Sequence, residues 1–523
     1  MKKRIISALA FIAILVTTSC TADLEEINND PNRPVSVPSY GVFNFANKAI
    51  MDGTRGPFSS ARMTLPWVQY SAQTNYTEED RFQFRQETNT ALYNSYYLAA
   101  NNYKLVIDLN VDPATRAEMS SYGNNDNQIA AARIMLAYTF SQLVDTYGDV
   151  PYYSYGNSDA DFQALQLEKG ILKPKYASQQ KIYADILKEL QEASEMIVAT
   201  EVVFTRGDQL FQGNAQKLKR FSNSLRLRIA NRVKGVVSGA EGHITDAIAS
   251  GVMLSNSDNV GLTYQNDAIN PSPLYIAFFI NNRDDFTISN TFVDLLKGTL
   301  GNNSADPRLQ KYAAPITASL EDVGNNLYTE TDDLAQYIGM PYGIPSASAP
   351  SQLPNTSRFS SNILKTNYTE YFMEYAEVEF LLAENNNWNN TNYTNGVRAS
   401  MERWGVTAAK ISTYLTNLAP PSKENVLTQK YIALYMQPTE AWSEHRRTGF
   451  PNTILKPGGT YALNNPFEGA TTYTFKALNN LTEMPSRLNY PVNSPQLNGE
   501  NYQQASSNIG GDLLTTKLIW DKN

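Results

Sequence analysis

The chain has one cysteine and two histidines in 523 residues. A single thiol forms no intrachain disulfide, so packing has to hold the fold. The same scarcity argues against a zinc site, which draws on several cysteines or histidines. Charged residues are only 18% of the chain and the net charge is −8, which argues against the clustered basic footprint of a nucleic-acid binder. Beyond Val16 no apolar run approaches the roughly 20 residues of a membrane-spanning helix. The signatures HExxH, GxSxG and GxxxxGK[ST] are all missing.

What is present begins with the position of that cysteine. Lys2, Lys3 and Arg4 precede an apolar run from Ile5 to Val16, and Thr17, Thr18 and Ser19 lead into Cys20. A basic start, a short apolar stretch and small residues at a cleavage point make a secretory signal. Cys20 is either an incidental thiol at that junction or the acylated first residue of a mature bacterial lipoprotein. Its isolation favours the second reading, although Thr17 stands where the strict lipobox has leucine. The expected organisation is a signal peptide over 1–19, a lipidated N-terminus and Pro-rich tether over 20–38, and a single binding domain over 39–523.

The body is expected to be helical. Ile182, Ile186, Leu190, Ala193 and Ile197 form one apolar stripe, with Ser178 as its N-cap. Residues 127–147 carry a second stripe, stopped by Gly148, and 214–235 a third. Segments 367–385 and 424–444 read as further helices, with Pro438 breaking the latter. Helices paired in sequence, 86–109 with 127–147 and 178–199 with 214–235, suggest a tetratricopeptide-like, all-α solenoid. Long stretches at about 255–290, 300–365 and 450–515 are rich in Asn, Pro, Gly and Tyr and read as functional loops.

Catalytic readings are weak. Ser178-Gln-Gln-Lys181 and Ser257-Asp-Asn259 match two serine β-lactamase motifs, but the third fails at Lys365-Thr366-Asn367. Carboxylates cluster at Glu78-Glu79-Asp80, Asp284-Asp285, Asp332-Asp333 and Glu374, Glu377 and Glu379. A glycosidase would need two of them facing across a bond, whereas solvation and ion pairing are their ordinary uses. No cofactor or metal is implied.

Several stretches together resemble the SusD/RagB family of nutrient-binding outer-membrane lipoproteins of the Bacteroidetes. They are QLVDTYGDVPYY (142–153), IASGVMLSNSDNVGLTY (248–264), DPRL (306–309), EYFMEYAEVEFLLAE (370–384), AWSEHRRTGFP (441–451) and PSRLNYPVNSPQLNGENYQQA (485–505). The resemblance implies an all-α fold of four tetratricopeptide-like helix pairs supporting irregular loops. It also implies a lipid anchor on the outer face of the outer membrane. The partner it implies is a SusC-like TonB-dependent transporter, to which the protein delivers an oligosaccharide or oligopeptide as a lid.

No ligand residue is carried over from the family, so candidates come from residue chemistry. The first is 66–84, where Trp67, Tyr70, Tyr76 and Phe82 offer stacking faces and Gln69 and Arg81 offer orienting groups. The second is Asn281, Asn282, Arg283 and Asp284, a polar rim suited to peptide termini. The third is Tyr342 in a Gly/Pro loop. The alternatives to a nutrient receptor are a surface glycan hydrolase using a carboxylate pair and a helical-repeat adaptor that binds only proteins.

Overall fold

A computed structural model describes residues 37–521; Cys20, the signal peptide and all but the end of the tether lie outside the described residues. The N-terminal half is a run of helices, each packed on the next. They are α1 (Ser39–Arg55), α2 (Gln86–Val111), α3 (Asn125–Tyr147), α4 (Gln179–Met196), α5 (Ala215–Arg232) and α6 (Ala240–Ser250). After α7 (Asn290–Lys297), a second group is formed by α8 (Tyr375–Asn385), α9 (Asn390–Arg403), α10 (Ala408–Thr416), α11 (Lys423–Ala433) and α12 (Pro438–Thr448). A short helix, α13 (Gly499–Asn508), lies near the end. The all-α, tetratricopeptide-like architecture read from the sequence is the one observed.

Local signals account for the helix ends. The Ser178 hydroxyl accepts from the Lys181 amide at the start of α4, and Asn124 and Asn214 do the same for α3 and α5. Gly148 ends α3 at φ 86°, a conformation that glycine adopts freely. The helical reading of 424–444 is divided at Pro438, which opens α12 after α11 has closed at Ala433. One expected helix is shorter than read. Thr369–Met373 is a strand, β4, paired antiparallel with β2 (Val260–Thr263), and α8 starts only at Tyr375. Its Thr, Tyr and Phe suit a pleated surface once a partner strand is present.

The pairing also differs in phase from the sequence reading, because α1 is an additional first helix. Its buried face, Val42, Phe43, Ala46, Asn47, Ile50 and Met51, packs on α2. The contact is so close that a Cβ at Gly53 would collide with the Ser95 side chain.

Two further small sheets tie distant loops together. β1 (Ser71–Gln73) pairs with β3 (Phe286–Ile288), and β5 (Thr460–Phe467) with β6 (Ala470–Thr474). One apolar core runs from Val42 to Trp520, and a smaller one is shared by α8 to α11.

Charges are buried in pairs. Arg232 bonds both Asp145 and Glu440, Arg228 donates to Glu377 at 2.6 Å, and Lys430 donates to Glu444 at 2.8 Å. These bonds cross between α3, α5, α8, α11 and α12, and they satisfy charges that would be costly to bury alone. Among the described residues no helix is long and apolar enough to cross a membrane.

Candidate functional site

The three sequence candidates converge, but their aromatic rings divide between core and surface. The β1–β3 ladder sets Gln73 opposite Phe286, and the Thr74 amide donates to the Asp285 carbonyl at 2.7 Å. That places segment 66–84 against the loop 281–285. The Thr77 amide donates to Ser346 Oγ at 3.0 Å, which brings in the loop after Tyr342.

Trp67, Tyr70 and Tyr342, expected as ligand-stacking rings, are instead fully buried. Trp67 Nε1 donates to the Glu79 carbonyl at 3.1 Å, and its ring packs on Phe84 and Trp442. Tyr70 stacks on Tyr431 at 4.6 Å and donates to the Tyr431 carbonyl. Tyr342 packs on Phe475, as does Phe82, which is also buried. Gln69, expected as an orienting amide, is spent on the backbone of Leu455, donating to its carbonyl at 2.7 Å and accepting from its amide at 2.9 Å. Arg81 is half-buried and donates to the Lys476 carbonyl at 3.2 Å. The physical reason is common to all of these. Large rings and bidentate amides fill the junction where irregular segments meet the helices, and burying them contributes far more than leaving them in water.

Tyr76 is the exception. It is 50% exposed, at a backbone φ of 54°. The Arg62 guanidinium lies 5.2 Å from its centroid and that of Arg85 lies 5.9 Å away. Arg62 also lies 5.1 Å from the ring of Phe58, which is 46% exposed. Arg62 is fixed by an ion pair to Asp285, which Arg283 also approaches at 3.4 Å. Two exposed rings are therefore held around one anchored guanidinium, an arrangement that adds cation–π attraction to positional rigidity.

Sequence reasoning missed Phe58, Arg62 and Arg85. Phe58 and Arg62 are four residues apart within a wide π-helical turn, Pro57–Thr64, that apolar periodicity does not reveal.

Phe58 lines a cavity of about 450 Å³ between the end of α1 and the start of α2. Its lining includes Asp52, Gly56, Phe58, Arg85, Glu87 and Thr88. Asn281, Asn282 and Arg283 are exposed on the adjoining loop, and Asp284 pairs with Arg358. Burial pushes the Asp284 carboxyl up despite Arg358, and it pushes Glu79 up against the opposing pull of Gln73 and Arg85.

The carboxylates considered for hydrolysis are committed elsewhere. Asp80 accepts from the Gln73 amide, Asp332 pairs with Lys410, Glu374 with Arg403 and Glu377 with Arg228, while Glu379 accepts from Asn392 at 2.8 Å. The β-lactamase-like residues are structural as well. Ser178 is a helix cap, Asp258 pairs with Arg220, and Asn259 accepts from the Tyr375 amide at 2.7 Å. His445 lies in the last turn of α12.

Comparison with known proteins adds the following. A SusD-like family model, described as starch-binding and associating with the outer membrane, matches residues 31–491. A solved chitin-binding protein superposes with a TM-score of 0.72 at 26% identity, covering 93% of this chain and 100% of its own. A SusD homolog from Parabacteroides distasonis gives 0.72 at 21% identity, covering 93% and 98%. A chitin-binding SusD homolog from Flavobacterium johnsoniae gives 0.69 at 21%, covering 93% and 99%. No curated protein matches the sequence.

Proposed function

The chain belongs to the SusD-like family, and on that premise we propose that it is a glycan receptor of the outer membrane. In this reading it captures an oligosaccharide at the Phe58–Tyr76 platform and hands it to a SusC-like TonB-dependent transporter. Cys20 carries the lipid anchor, and the body faces outward. One observation carries the reading. Two half-exposed rings are held about Arg62, and one of them, Phe58, lines a 450 Å³ cavity together with Arg85, while Arg283 pairs with the same Asp285 that anchors Arg62. Sugar rings present apolar faces that stack on such side chains, and their hydroxyls take up the neighbouring donors and acceptors. The relatives named as chitin-binding and the family's description as starch-binding support a glycan over a peptide. In this reading binding proceeds without turnover.

The test is calorimetry on the acyl-free protein from Thr21 onward, titrated with chito-oligosaccharides, malto-oligosaccharides and a mixed oligopeptide pool. Saturable binding of one glycan series without product release supports the proposal. Binding of peptides alone would move the function to peptide capture on the Arg283–Asp284 rim.

A further inference from the structure

A second cavity, of about 190 Å³, lies on the flank of α1 facing β2. Its wall holds the exposed ring of Phe45, the buried ring of Tyr264, the amides of Asn44, Gln209, Gln265 and Asn270, and Lys48. Phe45 is 53% exposed, on a helix whose other face is packed, so hydrophobic burial within this chain does not account for it. The Asn44 amide nitrogen donates to the Gly207 carbonyl, whereas its Oδ1 is buried without a hydrogen-bond partner. An orphaned buried acceptor of this kind is unfavourable until a donor reaches it. Lys48 is neutralised by Asp52, so the wall has little appetite for an anion. A ring face, several amides and a locally balanced charge suit a neutral polyhydroxylated ligand.

The two cavities adjoin. Asp52 lines the first, pairs with Lys48 of the second, and accepts from Tyr264 Oη, in the wall of the second, at 2.6 Å. Phe45 and Asp52 are separated by seven residues of helix, about 10 Å. We infer that the Phe45 cavity is a second carbohydrate subsite, which takes an outer unit of the oligosaccharide whose other end rests on Phe58 and Tyr76. This rests on the glycan reading above and extends it to a ligand several units long. Two weak contacts joined by one chain bind more tightly than either alone, because the second engagement is intramolecular.

The test compares chain lengths. Chito- and malto-oligosaccharides of two and six units are titrated into wild type, Phe45→Ala and Phe58→Ala, with urea melts to confirm folding. The expected result is that Phe45→Ala weakens the six-unit ligand at least fivefold and leaves the two-unit ligand unchanged, while Phe58→Ala weakens both. Equal effects of Phe45→Ala on both lengths, or none on either, overturn the subsite while leaving the receptor reading intact. Absence of binding by wild type to every oligosaccharide overturns both. Gln209→Ala is the second variant, and it should reproduce the length-selective loss with no change at the helix.

Discussion

The indole of Trp67 meets that of Trp442 edge to face, with centroids 5.2 Å apart and planes inclined at 68°. This contact fastens the irregular segment after α1 to α12, so Trp67 stabilises the platform from beneath. Trp67→Ala is expected to cost about 3–5 kcal/mol of unfolding free energy, as for other large rings cut to alanine in a core. Urea denaturation measures it; a loss under 1 kcal/mol would show that the ring is not packed as described.

Tyr76→Ala and Phe58→Ala should behave in the opposite way. Each ring is half exposed, so stability should stay within about 0.5 kcal/mol of wild type. Glycan affinity should fall roughly tenfold for each, the equivalent of about 1.4 kcal/mol. Calorimetry and thermal melts on the same preparations separate the two effects. Unchanged affinity in both variants removes the platform from consideration.

The position of Tyr76 allows a sharper variant. Its φ of 54° is one that non-glycine residues adopt at a cost. Tyr76→Gly removes the ring and that cost together, while loosening the unfolded chain. The expected outcome is binding as weak as in Tyr76→Ala, with stability equal to or above it. A Tyr76→Gly protein less stable than Tyr76→Ala would contradict the left-handed conformation.

Stability should also carry the mark of one buried acid. Glu370 on β4 lies 3.7 Å from Arg55, and burial, only partly offset by Arg55 and Arg403, pushes its carboxyl up to about 7 from an ordinary 4.5. Between those values the folded chain keeps a proton that the unfolded chain has released. This contribution is therefore complete in acid and lost as the pH rises through 7. From pH 5 to pH 8, wild type should lose on the order of 1–3 kcal/mol relative to Glu370→Gln. Parallel pH profiles for the two proteins would refute it.

Arg232 offers a test of the buried ion network. Its guanidinium answers both Asp145 and Glu440, all three buried. Arg232→Met strands two carboxylates, and breaking a buried pair from one side costs about 3–5 kcal/mol. The triple change with Asp145→Leu and Glu440→Leu should recover most of that loss, as read by denaturant midpoint. No recovery would mean that packing, not charge, is what Arg232 supplies.

Much of the helical frame was legible because its signals are local. Ser178, Gly148 and Pro438 each act within a few residues, and the stripe from Ile182 to Ile197 needs no knowledge of its partner. The strand at 369–373 was not legible, since it depends on β2, which lies more than a hundred residues earlier in the chain. The site was half legible for the same reason. Trp67, Tyr70 and Tyr76 look alike in sequence, and only distant partners, Trp442 for Trp67 and Tyr431 for Tyr70, decide which ring is buried. Arg283 and Asp284 were named as a separate polar rim by residue type alone, and it is the β1–β3 ladder that sets their loop against segment 66–84. Phe58 and Arg85 were missed because their value lies in what Arg62 and Tyr76 bring to them.

Gly53 lies where α1 packs tightly on α2, with Ser95 filling the space that its side chain would need. The mouth between the two helices thus has a gauge, set by one missing methyl group opposite one hydroxyl. Small changes at 53 and 95 would pry the helices apart or let them close by fractions of an ångström, without touching any ring on the platform. The volumes of two small residues, neither of them aromatic, thus set the width of the cleft that Phe58 lines.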